Sequence, residues 1–594
     1  MVHEYTLLPE GIRENIAHLA PHEIFENLHT IIHDESNEVA EVYEHFEYEQ
    51  QLDKSLLSRS SVIGLGFGLM SPVLGMCTSM GIGLMNGGPL TIMWGFPICG
   101  FFSFLCASSL GEVVSKYPME LHGASAMIAP ESIKRVCSWL TGWMILLGNW
   151  FMSIGVTFAG AQLIISLIAM NDSRTISDSR LGIYTVLVYY AVVTVVGVVN
   201  LSYARYVELI NKVCIYWIVY AVLFIDVLLL LFHRHRFRSL FYALFHFDNS
   251  LSGYKSAFLS FIIGFQQSNF TLQGFSMLPA LADEVKKPEK DIPRGMSTAV
   301  LISTTLGIIF LFPIMLILPD LGSLFDNNKV LPIVNIFTQS TDSTFVSVFL
   351  ILLILGNLFF SGIGSITTSS RAVYSFGRDH AIPFHSVWTY VDPCSESKVP
   401  KYAVLLSMGV SYILGLLPLV STAAFNAFIG CAVLCLCSAT LIPLILVLLT
   451  GRRTLRNAPI KIKYKIGWVV NIGSVVWLLL SMLSVCLPPQ IPVTAKTMNY
   501  ALVVFGACFI SIVILYFRWG NVNFQLPLVD KLSKDSTTME IGETEYGQKS
   551  HLSAGLEMFQ QFEGQSSAKS ISCSSQQSPS DESYDLGVPK LETL

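Results

Sequence analysis

From about residue 56 to residue 520 the chain alternates between apolar runs of membrane length and short polar connections. About 20 apolar residues cross the ~30 Å hydrocarbon core of a bilayer as a helix. Twelve such runs can be placed. They begin near Ser60, Leu90, Cys137, Leu181, Val207 and Lys255, then near Ser297, Ser343, Tyr402, Ala424, Gly467 and Asn499. The pattern predicts an all-α polytopic membrane protein with twelve transmembrane helices.

Two of the runs are interrupted. Run 1 contains Gly64-Leu-Gly-Phe-Gly-Leu-Met-Ser71-Pro72-Val-Leu-Gly75, and run 6 contains Gly274-Phe275-Ser276-Met-Leu-Pro279-Ala-Leu-Ala-Asp283-Glu284. Inside a helix Gly costs roughly 1 kcal/mol and Pro roughly 3 kcal/mol, and Pro also removes a backbone donor. In lipid such breaks persist only where protein or a wet cavity satisfies the freed groups. Broken helices at matching places in two halves of a chain point to the binding site of a transporter. The breaks therefore nominate Ser71, Pro72 and Gly75 on helix 1, with Asn269, Gln273, Gly274, Phe275 and Ser276 on helix 6. Gln266 and Gln267 add to a crowd of amides just before the second break. Amides in an apolar helix suit a wet path or bonds between helices.

Charge sets the orientation. The chain is 52% hydrophobic and only 13% charged, against about 25% charged in soluble proteins. Its net charge of −6 is unevenly spread: residues 1–50 carry −11, residues 521–594 carry −6, and the part between carries +11. With the N-terminus in the cytosol, the inner connections hold 18 Lys and Arg and the outer ones 8, as the positive-inside rule requires. The run His233-Arg234-His235-Arg236-Phe237-Arg238 goes against it locally and reads as a helix-end anchor. The division predicted is an acidic cytosolic tail at 1–55, a permease domain at 56–520 and a disordered, acidic, Ser-rich cytosolic tail at 521–594. No cleavable signal opens the chain. Asn171-Asp172-Ser173 forms a glycosylation sequon on the expected outer side.

Acids within apolar runs are functional candidates, because inserting them costs about 2.5–3.5 kcal/mol. Asp226 lies well inside helix 5 and is the candidate for proton coupling or amine recognition. Glu112 ends helix 2, and Asp283 and Glu284 end helix 6. These three are expected at a cytosolic gate. Asn149 and Asn357 are lesser pore candidates. The 12 cysteines lie mostly in apolar stretches and read as small buried hydrophobes. No metal or cofactor motif is present, no nucleophile–base pair suggests an enzyme, and no basic–aromatic surface suggests nucleic acid. Gly64-Leu-Gly-Phe-Gly matches part of a nucleotide loop but lacks the flanking strand.

Several segments carry a family resemblance. Leu281-Ala-Asp-Glu-Val-Lys-Lys-Pro-Glu-Lys-Asp-Ile-Pro-Arg294 resembles the loop after helix 6 of amino-acid permeases. Ser138-Trp139-Leu-Thr-Gly142-Trp143 resembles the start of their helix 3. Ser370-Arg371-Ala-Val-Tyr374-Ser-Phe-Gly-Arg378-Asp379 resembles the end of helix 8, and Gly87-Gly88-Pro89 the turn after helix 1. Four matches in order identify the amino-acid/polyamine/organocation superfamily, and within it the fungal amino-acid/choline permease branch, with polyamine permeases of the Golgi and secretory vesicles most similar.

The resemblance implies an inverted repeat of helices 1–5 against 6–10, alternating access, and exchange of organic cations for protons. For the polyamine-type members it implies loading of Golgi or post-Golgi vesicles with putrescine, spermidine or spermine. Plasma or vacuolar membrane is the alternative location. Where many branch members have Gly-Ser-Gly in helix 1, this chain has Val73-Leu74-Gly75, and where many have Gly-Tyr-Asp in helix 6 it has Gly274-Phe275-Ser276. Loss of the first pattern fits a substrate without a carboxylate. Phe275 is a candidate gate or cation–π partner. A permease for γ-aminobutyrate, choline or another amine or amino acid, and a non-transporting membrane sensor, stay open as alternatives. The expected partners are small organic cations, protons and the lipid bilayer, and the oligomeric state is not readable.

Overall fold

Helix 1 begins where the apolar pattern starts and stops half-way across. α1 spans Arg59–Met70 and α2 spans Pro72–Met85, with non-helical backbone at Ser71 between them. Pro72 is the first residue of α2, where its missing N–H costs no helical bond. The computed structural model describes residue 52 and residues 56–171, 178–325, 330–392, 398–420, 424–494 and 498–526. Residues 1–51 of the acidic N-terminal segment, the body of the sequon and the Ser-rich C-terminal segment lie outside the described residues.

The remaining spans follow the apolar runs. Gly87 (φ 120°) and Gly88 (φ 64°) turn the chain through left-handed backbone that only Gly adopts freely. α3 (Gly88–Lys116), the short α4 (Leu121–Ile128), α5 (Lys134–Asn171), α6 (Asp178–Ser202) and α7 (Val207–Phe232) complete the first half. α8 (Ala257–Gly264) and α9 (Gln266–Leu272) lead into a 3-10 helix at Gln273–Glu284. α10 (Pro288–Leu316), α11 (Pro332–Thr341), α12 (Thr344–Arg378), α13 (Lys401–Leu414), α14 (Ala424–Leu449), α15 (Tyr464–Cys486) and α16 (Ala501–Leu515) follow. Among the described residues eleven helices, with α1 and α2 taken together, are long and apolar enough to cross a membrane. The twelfth span is residues 257–284, cut into three pieces too short to qualify singly.

Five spans return the chain to the face opposite its start. The second five therefore run inverted to the first, and both sets begin with the broken helix. Two contacts differ from the apolar pattern. α10 starts at Pro288 rather than near Ser297, because Pro288 opens the helix and Glu289 and Asp291 occupy its first turn, where acids favour the helix dipole. Lys290 and Arg294 thus sit on helix, not in a connection. At the other end α16 continues through a π-turn at Tyr516–Gly520 to Asn523. Phe524 is buried, its ring edge-on to Trp139 at 5.4 Å and to Phe376 at 5.9 Å. Arg135 donates to the Phe524 carbonyl at 2.7 Å.

The two broken spans lie antiparallel against each other. Gly66 faces Leu278, Gly274 faces Leu69 and Met70, Gly75 faces Thr271, and Gly83 faces Gln267. At the end of this seam the Leu57 N–H donates to the Glu284 carbonyl at 3.1 Å. A β-carbon on Gly75 would stand 2.5 Å from Thr271 Oγ1, closer than packed atoms tolerate. Overpacking of this kind costs about 1–3 kcal/mol. Gly75→Ala is therefore expected to lower the melting temperature of the purified protein in detergent, and adding Thr271→Ala to restore most of it. Equal losses in the single and double variants would mean that the two breaks do not touch here.

Candidate functional site

Where the seam crosses the breaks it leaves a cavity of about 10 Å³, room for about one water. Helix 1 lines it with Leu69, Met70, Ser71, Leu74, Gly75 and Thr78, α5 with Met152, Val156 and Ala159, α9 with Phe270 and Thr271, and α12 with Ser361. No acid or base is in this lining. Thr78 donates to the Leu74 carbonyl at 2.9 Å and Thr271 to the Gln267 carbonyl at 2.8 Å. The hydroxyls of Ser71 and Ser361 are buried with no hydrogen-bond partner in the protein. Such orphans cost about 1–3 kcal/mol each, and a polar ligand entering the cavity would satisfy them. The last carbonyls of α1 end here. A helix C-terminus carries roughly half a negative charge and the N-terminus of α2, across the break, roughly half a positive one, so the break offers a guest both a carbonyl end and an amide end.

The nominated residues divide. Ser71 and Gly75 line the cavity. Pro72 lies against Gly307 of α10, and Gly274 sits on Leu69 and Met70 where the two breaks meet. Asn269 turns the other way and bonds Ser484 and Ser481 of α15, both at 3.4 Å. Gln266 donates to the Ser484 and Leu487 carbonyls at 2.7 Å and 3.0 Å. Gln273, Phe275 and Ser276 are buried but outside the lining. The Ser276 hydroxyl donates to the Gln273 carbonyl at 2.9 Å. The aromatic side chain at the cavity is Phe270, whose ring end lies over Gly155, and not Phe275. Asp226 is 7% exposed and neither carboxylate oxygen has a partner, but it does not line the cavity. Asn149 and Asn357 are likewise buried away from it.

The expected gate acids are all ion-paired, at the face of the bundle where α1 begins. Glu284 Oε1 accepts from Arg371 Nε at 2.8 Å, with both side chains 2% exposed. Asp283 accepts from Arg378 at 2.9 Å. These two pairs tie the end of the 3-10 helix to α12. Glu112 is held elsewhere: Arg452 donates to its two oxygens at 2.8 Å and 2.6 Å, and the Ile462 N–H donates at 3.2 Å. It joins α3 to the connection between α14 and α15. Removing one partner of a buried pair strands the other charge, at about 3–5 kcal/mol.

The amino acid permease profile matches residues 61–533 of the chain. The chain belongs to the amino acid permease family. It is 70% identical over 529 residues to the polyamine transporter TPO5 of Saccharomyces cerevisiae, covering 89% of this chain and 86% of that protein. It is 29% identical over 465 residues to the amino-acid permease BAT1 of Arabidopsis thaliana, covering 76% and 89%. It is 28% identical over 476 residues to the choline transporter of Saccharomyces cerevisiae, covering 79% and 82%. These relatives are transporters rather than enzymes, and this permease is a multi-pass membrane protein.

One cluster in the permease escaped the sequence. His122 on α4 bonds Asp379 Oδ2 at 2.7 Å through Nε2, and its Nδ1 lies 3.2 Å from Glu120 Oε2, an ion-pair contact without hydrogen-bond alignment. All three are buried. Burial alone would lower the imidazole pKa, but the hydrogen bond to Asp379 and the attraction of the Asp379 and Glu120 carboxylates outweigh it and raise the pKa to about 9. His122 is thus a cation at neutral pH, and it fastens α4 to the end of α12. Asp379 also accepts from the Gln525 N–H through its carbonyl at 3.0 Å. Nothing in the sequence signals this cluster, because 257 residues separate His122 from Asp379. The arginines opposite Asp283, Glu284 and Glu112 were missed for the same reason. Arg371 alone had a local signal, as a cation inside an apolar run.

A raised imidazole pKa stabilises the fold fully below the unfolded value near 6.5, and the contribution is lost as pH rises through about 9. The melting temperature of the permease should exceed that of His122→Ala at pH 6 and 7, and the gap should close between pH 8 and 10. A gap independent of pH would show that His122 acts by packing alone. Glu112→Ala should leave Arg452 buried and unpaired. Thermal unfolding should register a loss on the order of 3–5 kcal/mol, with Glu112→Ala/Arg452→Met recovering part of it.

Proposed function

We propose that this permease carries polyamines across a membrane of the secretory pathway in exchange for protons. The observation that carries the reading is the 70% identity over 529 residues to a polyamine transporter. The cavity chemistry supports it. The carbonyl end of α1 attracts an ammonium, the Ser71 and Ser361 hydroxyls accept its N–H groups, and the Phe270 face adds cation–π attraction of roughly 0.5–2 kcal/mol. The Gly-Ser-Gly pattern of many branch members is replaced here by Val73-Leu74-Gly75, which fits a substrate without a carboxylate.

In this reading the breaks at Ser71–Gly75 and Gly274–Ser276 are the hinges of alternating access. Opening towards the face where α1 begins separates the 3-10 helix from α12 and so breaks Asp283–Arg378 and Glu284–Arg371. That face, rich in Lys and Arg, is taken as cytosolic, with residues 1–55 and 521–594 on the same side. Glu112 holds the scaffold beside this gate. Asp226 has no counter-charge, so it takes a proton in one half of the cycle and meets solvent or the substrate amine in the other. Proton release from a Golgi or post-Golgi vesicle would then drive polyamine loading.

Radiolabelled spermidine and putrescine uptake into proteoliposomes with an acid-inside pH gradient tests this. Uptake should be saturable and gradient-driven. Asp226→Asn should abolish the gradient response while leaving spermidine–spermidine exchange. Phe270→Ala should raise KM about tenfold, since 1.4 kcal/mol is a factor of ten. Absence of spermidine flux in folded protein that carries choline or γ-aminobutyrate would overturn the substrate. A gradient response intact in Asp226→Asn would remove the proton role of that residue.

A further inference from the structure

α7 exposes an aromatic ladder where an ordinary lipid-facing helix carries aliphatic side chains. Tyr216, Tyr220 and Phe224 stand four residues apart, on one stripe of the helix, and Tyr216 and Tyr220 are 64% and 67% exposed. Together with Leu353 of α12 they wall a groove of about 570 Å³. Ala221 forms its buried floor. Trp217 forms a side wall, let in against α12 because Gly356 has no side chain where the indole lies. The groove is therefore built by two small residues on two helices, and Phe224 is further fixed edge-on to Phe349 at 6.0 Å.

The ladder has a polar problem. Tyr belongs at the membrane interface, but α7 is 26 residues long, or roughly 39 Å. If its overhang beyond the ~30 Å core is shared between its ends, Tyr216 and Tyr220 sit roughly 9 Å and 15 Å inside the hydrocarbon. Neither hydroxyl has a hydrogen-bond partner among the described residues, and hydrocarbon supplies none. Side chains on a helix lean towards its N-terminus, so both hydroxyls reach back towards Lys212 at the mouth. Lys212 pairs with Glu208 at 2.7 Å and remains 41% exposed.

We propose that this groove holds a membrane sterol. From Val213 to Val227 it runs roughly 21 Å along α7, more than the ~15 Å depth of one leaflet, which matches a rigid four-ring lipid with a short tail. The flat ring system lies along the aromatic wall. The sterol hydroxyl, near the mouth, bonds the Tyr216 hydroxyl and sits beside Lys212. An acyl chain brings no donor or acceptor to these hydroxyls and loses more conformational freedom on binding. Lys212, Tyr216 and Val219 also fit the basic–aromatic–aliphatic order associated with sterol contact, a pattern with little weight by itself. The assignment does not depend on the identity of the transported substrate.

Photolabelling tests it directly. The full-length protein in phosphatidylcholine vesicles is irradiated with a photoactivatable sterol, and the labelled peptides are mapped. Labelling should concentrate on residues 213–227 and be displaced by excess unlabelled sterol. Tyr216→Phe/Tyr220→Phe keeps both rings and should reduce that labelling at least threefold. Gly356→Val, which displaces Trp217, should abolish it, and size-exclusion profiles report whether either variant folds. Labelling spread evenly around the bundle overturns the proposal. So does equal labelling of the groove by an acyl-chain probe that sterol fails to displace. Efficient disulfide formation between two copies of Tyr220→Cys, unaffected by sterol, would instead assign the groove to a second copy of the chain.

Discussion

A backbone broken inside a bilayer must be satisfied by protein, and the rest of this structure follows from that constraint. Ser71 interrupts helix 1 and a 12-residue 3-10 helix replaces the last half of helix 6. Runs of 3-10 helix beyond three or four residues are uncommon and mark hinges or strain. Each break is covered by the other, through a seam of glycines that lets the two chains approach closely. The cavity that results is almost nothing, about 10 Å³, so a substrate needs the seam to part before it can enter. The cavity's two orphan serines, the carbonyl end of α1 and the amide end of α2 are what it presents to a guest.

The faces of the bundle are managed differently from its middle. At the middle there are hydroxyls, helix ends and one aromatic ring. At the face where α1 begins there are ion pairs, buried except for the half-buried Asp283–Arg378, each linking elements distant in sequence. Glu284–Arg371 and Asp283–Arg378 join the 3-10 helix to α12, while Glu112–Arg452 and the Glu120–His122–Asp379 cluster join elements outside the two broken spans. Buried pairs of this kind add little net stability against apolar replacements, but they are costly to break. That cost suits contacts that must hold one arrangement or the other and nothing between.

Much of this was legible in the sequence, for physical reasons that also set its limit. The span positions follow from apolar length, and eleven of the twelve starting points lie within three residues of the observed helices. The exception, α10, carried a start signal in Pro288, Glu289 and Asp291 that the apolar pattern outweighed. The breaks at Ser71 and Gly274 were visible because Gly and Pro act locally. Azimuth was not. A helix turns about 100° per residue and a 3-10 helix 120°, so the transition at Leu272–Gln273 decouples Phe275 from any count made along helix 6. Phe270 and Thr271 face the cavity instead, and Asn269 faces α15. The pairings of the buried charges were hidden, even where Arg371 itself stood out, since no spacing rule links Glu112 to a residue 340 positions away.

The central claim is that the meeting point of the two breaks is the substrate site. The most direct measurement is a cryo-electron microscopy map of the protein in lipid nanodiscs with saturating spermidine. The account predicts elongated density between Ser71, Phe270, Thr271 and Ser361, with the cavity expanded around it. Density beside Asp226 with the seam still closed at Gly75 and Thr271 would contradict it.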